Sequence, residues 1–62
     1  MANRIKEILQ RQGLTQKELA EKTGIDPSEL SKIILEKKTV TLPVMKRISK
    51  ALGWGMDHIW PD

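Results

Sequence analysis

The chain has no cysteine, phenylalanine or tyrosine, a single histidine, and no apolar run longer than three or four residues. Without cysteine there is neither a disulfide framework nor a thiolate metal site, and His58 alone cannot assemble a metal centre, so no metal or other cofactor is expected. The short apolar runs exclude a membrane-spanning helix, and MANRIKEILQ lacks the continuous apolar core of a signal peptide; no membrane partner and a cytoplasmic location are expected. No nucleophile–base pair and no glycine-rich phosphate loop occurs, which argues against an enzyme and against a small-molecule substrate. An alternating strand pattern, a linker and a low-complexity segment are absent too.

What is present fits one small helical unit. The 62 residues are read as a single domain, 1–62, that buries only about 60% of its unfolded surface and so depends on good helix packing or on a partner subunit. The net charge of +3 suits an anionic partner without requiring one.

The organising stretch is Leu14 to Glu36. Leu14-Thr15-Gln16-Lys17-Glu18-Leu19 and, eleven residues later, Ile25-Asp26-Pro27-Ser28-Glu29-Leu30 share one pattern. An apolar residue precedes a capping side chain (Thr15, Asp26), a Glu follows three positions after the cap (Glu18, Glu29), and a Leu comes next. Such a box satisfies two free N–H groups of a helix start reciprocally, while the flanking apolar pair clamps the entry. Gly24 between them readily adopts the left-handed conformation that stops a helix, so the stretch predicts a helix-turn-helix over about 15–35.

Around it, a first helix is expected over Arg4 to Gln12, with Ile5, Ile8 and Leu9 on one face and Gly13 as its stop. The second, Gln16 to Thr23, buries Leu19 and Ala20; Ala20 suits a close helix crossing, the alternative being a plain helix former. The third starts after Asp26 with Pro27 in its first turn and buries Leu30, Ile33 and Ile34, while its C-terminal end, near Leu35 or within Glu36-Lys37-Lys38, has no glycine or asparagine to fix it. Thr41 is expected to cap a fourth helix with Leu42, Met45, Ile48 and Leu52 inside, and Met56 to Trp60 allow one further turn. Trp60 is expected in the core and His58 exposed.

At RIKEILQRQGLTQKELAEKTGI, and again at ISKALGWGMDHIW, the sequence resembles the Cro/CI-type helix-turn-helix regulators of phages and bacteria, the XRE family, over nearly the whole chain. The resemblance implies an all-α, lambda-repressor-like DNA-binding domain, a compact four-helix bundle plus a short fifth helix, encoded by a bacterium or phage. It implies a repressor-type, sequence-specific regulator of transcription that lays helix 27–35 in the major groove of double-stranded DNA, as a homodimer on a two-fold operator. Carried over position by position, Pro27, Ser28, Ser31 and Lys32 face the bases, and Gln16, Lys37, Lys38 and Thr39 lie at phosphates. Trp54 with Met56 is the candidate dimer interface, a lid over the core being the alternative.

Some positions depart from the family pattern. Pro27 stands where relatives often carry Gln or Arg, and three lysines between Asp26 and Lys38 are balanced by Asp26, Glu29 and Glu36. These features favour a second reading, a protein-interaction module of antitoxin-like or regulator-binding kind with weak or no DNA specificity. Leu9 and Ile34 stand where several phage repressors hold an Arg–Glu pair, and they are expected to meet inside the core. Leu35-Glu36 replaces the family's Asn-Gly.

Overall fold

The computed structural model describes residues 2–61. Five helices follow one another, α1 (Ile5–Gln12), α2 (Gln16–Thr23), α3 (Pro27–Ile34), α4 (Leu42–Leu52) and α5 (Met56–Ile59), and no strand occurs among the described residues. The bundle measures 25 × 22 × 18 Å.

Each helix contributes one completely buried side chain to a common core: Ile5, Leu19, Leu30, Ile48 and Ile59. Full burial of one such side chain stabilises by about 1.5–3 kcal/mol. Around these five pack Ile8, Leu9, Ala20, Ile25, Ile33, Ile34, Leu52 and Trp60. Leu9 and Ile34 are both buried, as expected of apolar residues that replace an ion pair. Trp60 is in the core, and Ala20 is buried in α2, the helix that packs against both α3 and α4.

Helix α1 begins one residue later than expected. Asn3 Oδ1 accepts from the Ile5 N–H at 3.2 Å, so Asn3 helps to satisfy the helix start. The same side chain works at longer range, its Nδ2 donating to the carbonyls of Ile33 and Ile34 at 3.3 and 3.4 Å. At the other end of α1, Gln12 Nε2 donates to the Leu52 carbonyl at 2.8 Å. Two side-chain amides therefore tie α1 to the final carbonyls of α3 and α4, groups that have no partner inside their own helices.

Two expectations for α4 are corrected. Thr41 sits at the cap with extended backbone, but its side chain makes no capping bond. One of the two N–H groups such a side chain normally reaches is missing, because the second helical position is Pro43. Leu42 is 55% exposed rather than inside. At about 100° per residue it lies about 120° around the axis from buried Ile48, off the inner stripe.

The end of α3, which the sequence left open, closes on a non-glycine residue. Glu36 takes the left-handed conformation at φ 62°. Its N–H donates to the Ile33 carbonyl at 3.1 Å, and the Lys37 N–H donates to the Lys32 carbonyl at 2.8 Å. Those two bonds form the paired closure normally built on glycine. A side chain there costs about 1–2 kcal/mol, which the closure of the helix sustains. Glu36→Gly should therefore stabilise the fold by about 0.5–1 kcal/mol, after the extra freedom of an unfolded glycine is deducted. Urea denaturation measures this; a lower midpoint in the variant would show that the conformation carries no strain.

Candidate nucleic-acid interface

The site is built on the turn between α2 and α3. Thr15 forms both halves of its capping box, its Oγ1 accepting from the Glu18 N–H at 3.1 Å and its own N–H donating to Glu18 Oε1 at 3.0 Å. At the far end of α2, Gly24 is left-handed at φ 73° and donates to the Ala20 carbonyl at 2.8 Å. Thr23 is a residue whose role sequence reasoning missed. Its buried hydroxyl donates to the Leu19 carbonyl at 2.8 Å and accepts from the Ile25 N–H at 3.4 Å. One side chain thus fastens the last turn of α2 to the first residue after the stop. A threonine immediately before a helix-stopping glycine was the available signal.

The second box is not formed. Asp26 Oδ1 accepts from the Ser28 N–H at 2.8 Å, so the aspartate caps α3, but Glu29 does not reach back to it. The Glu29 carboxylate instead accepts from Lys38 Nζ at 2.6 Å. The ammonium offers the carboxylate a full opposite charge as well as a hydrogen bond, whereas the backbone N–H offers only the bond.

Leu30, Ile33 and Ile34 bury the inner side of α3; by helical phase Ser28 and Lys32 lie on the opposite side, and Pro27 and Ser31 lie between the two sides. Pro27, Ser28 and Lys32 are exposed and Ser31 is half-buried. Positions 27, 28, 31 and 32 fall on one helix face by their spacing. Gln16 is exposed as the first residue of α2, and Lys37, Lys38 and Thr39 are exposed in the connection after α3. With Glu36 and Asn3 these three border a shallow cavity of about 330 Å³. Of these cations Lys38 is held in an ion pair. Among the described residues the other ion pair is Arg11–Glu7 at 3.7 Å, on exposed side chains of α1.

Charge is distributed unevenly. The stretch 26–38 is balanced, whereas α4 carries Lys46, Arg47 and Lys50 with no carboxylate. Arg47 and Lys50 border an open groove with Lys22. Lys22 and Lys50 each occupy the last turn of their helix, where a cation also offsets the helix dipole.

The two residues proposed for a subunit contact differ in setting. Trp54 is 46% exposed, and its ring stacks on His58 with centroids 4.2 Å apart and planes at 20°. Met56 is half-buried and packs on the core. His58 is half-buried instead of exposed, because the indole covers it. Trp54 and His58 border a cavity of about 210 Å³ with Ile8 and Gln12 of α1.

Compared with known protein families, the chain matches the helix-turn-helix family model over residues 5–59, from the first residue of α1 to the last of α5. A comparison with curated proteins finds no match. No helix among the described residues is long and apolar enough to cross a membrane.

The hydroxyl of Thr23 is the side-chain anchor of this turn, so Thr23→Val, which keeps the shape and removes the hydroxyl, should destabilise the fold by about 1–2 kcal/mol by leaving the Ile25 N–H unpaired. Urea denaturation reads the change. An unchanged midpoint would mean that Gly24 and the burial of Ile25 hold the turn by themselves.

Proposed function

The chain belongs to the Cro/CI-type (XRE) helix-turn-helix family, one of DNA-binding regulatory domains and not of enzymes, and from that premise we propose that it represses or otherwise regulates transcription as a homodimer on a two-fold operator. In this reading residues 1–62 act as one DNA-binding domain in the cytoplasm of a bacterium or a phage-infected cell. The observation that carries it is the outer face of α3, where Ser28 and Lys32 are exposed opposite a fully apolar inner face and exposed Pro27 and half-buried Ser31 adjoin them.

Base readout falls chiefly to Lys32, whose ammonium can donate to guanine O6 or N7, and to Ser28, whose hydroxyl can donate or accept. Pro27 makes no bidentate base contact; it supplies shape and an apolar surface suited to a thymine methyl group. Gln16, at the N-terminus of α2, and Lys37, Lys38 and Thr39 lie along the sugar–phosphate backbone, where helix N–H groups and lysines favour anions. Because the stretch 26–38 has no net charge, long-range attraction to DNA falls to α1 and α4, where the cationic excess resides. Two copies joined through the exposed Trp54 face would space their α3 helices about 34 Å apart, one turn of DNA.

Titration with duplex DNA at several salt concentrations tests this reading. A regulator loses affinity with a log–log slope of about 0.9 per phosphate contacted and retains a preference for its operator. Lys32→Ala should relax that preference, by about 1–3 kcal/mol at one base position, while Lys37→Ala should weaken every sequence alike. Binding with no preference at all would favour the protein-interaction reading. For the dimer, sedimentation equilibrium of Trp54→Ala should show a shift toward monomer relative to the parent chain; identical association of the two would remove Trp54 from the interface.

A further inference from the structure

The Glu29–Lys38 ion pair joins the first turn of α3 to the connection that follows it. We propose that Glu29 attenuates DNA affinity by engaging Lys38, so that this lysine reaches a phosphate only in competition with the carboxylate. The proposal rests on the reading that the connection after α3 lies along the DNA backbone.

Lys38 Nζ lies 2.6 Å from Glu29 Oε1, and the two side chains are 48% and 40% exposed. The bond is short, yet both partners remain open to solvent and to an incoming anion. An exposed pair of this kind holds its lysine by a factor of only about 1.5 to 5, so a phosphate can displace the carboxylate and pay that factor in affinity. Lys32 and Lys37 have no ion-pair partner among the described residues, and so can approach a phosphate or base without that competition. Glu29 is available for this role because its carboxylate accepts nothing from the Asp26 backbone N–H, Asp26 capping α3 through the Ser28 N–H alone. The anchor under Lys38 is firm. Glu36 and Lys37 are bonded back to the carbonyls of Ile33 and Lys32, so the lysine extends from a fixed backbone and its reach is set by which anion it holds.

Removing the carboxylate has two separable effects. Any loss of negative charge near DNA strengthens binding; release of Lys38 in addition makes that lysine worth more than it was. A binding cycle distinguishes them. The affinity of the parent chain, Glu29→Gln, Lys38→Ala and the double variant is measured on a duplex carrying the operator selected from a random pool and on an unrelated duplex. The control Glu21→Gln removes a carboxylate from α2 instead. We expect Lys38→Ala to weaken the parent less than about twofold but the Glu29→Gln chain by about fivefold, the range set by an exposed pair. Glu29→Gln should also steepen the salt dependence by about 0.9 of a slope unit, one additional phosphate contact. In the Glu21→Gln background, Lys38→Ala should cost what it costs in the parent.

Equal losses on removing Lys38 with and without Glu29 would overturn the proposal, since the two charges would then act independently. A larger loss in the parent would overturn it as well, because Glu29 would be orienting Lys38 toward the phosphate. A changed base preference in Glu29→Gln would do the same by making the carboxylate a direct base reader. If the parent chain binds neither duplex, the DNA reading itself falls and takes the attenuation with it; binding by the parent with additive losses removes the attenuation alone.

Discussion

The constraint on which this structure depends is the shortness of its helices. Each of α1, α2 and α3 has eight residues, below the about 12–15 at which an isolated helix becomes even marginally stable in water. None can persist alone, so each must be stopped sharply, turned back, and buried against the others. The five fully buried side chains, one from each helix, are how this is met: every element contributes to the same core. Left-handed residues at 13, 24, 36 and 53 provide the sharp stops. The polar outer face of α3 is a by-product of the same arrangement, because a short helix with three apolar residues inside leaves the rest of its circumference to solvent.

Much of this was legible from local sequence, for a physical reason. Caps, staples and glycine stops act within about six residues, so Thr15 with Glu18, Gly13, Gly24 and Gly53 could be read directly, and helical phase placed the apolar residues of α1 to α3 inside. What escaped was long-range or atypical. Asn3 and Gln12 bond to carbonyls 30 and 40 residues away, and no local pattern encodes such partners. Glu36 adopts a conformation that its residue type disfavours, so nothing in its identity marked the end of α3. Leu42 matched the apolar spacing approximately, and the drift of a helix that turns every 3.6 residues carried it out to solvent.

For the candidate interface, exposure was predictable and pairing was not. Spacing was enough to put Ser28 and Lys32 on the outer face. The partner of Glu29, however, was decided by competition between a nearby N–H and an ammonium from the following connection, and sequence alone suggested the wrong winner. Charge balance shows the same difference of scale. The positive excess was evident in the composition, yet its segregation onto α1 and α4, away from the balanced α3 region, would, in the proposed reading, separate the charges that attract DNA from the residues that read it. Affinity and specificity can then vary with different residues.

The hydrogen bond from the Arg4 N–H to the Ile59 carbonyl, 2.9 Å long, has a topological meaning. It brings the first helical turn and the last into contact, so the path of the chain is very nearly a closed ring. A ring has no preferred starting point. With Asn3 and Trp60 retained, the two ends of this path could be joined by a few flexible residues and the chain reopened at another exposed turn, giving a circular permutant with the same core. By the same geometry, the bundle enters and leaves at one place on its surface, which makes it suited to insertion as a cassette into a loop of another protein.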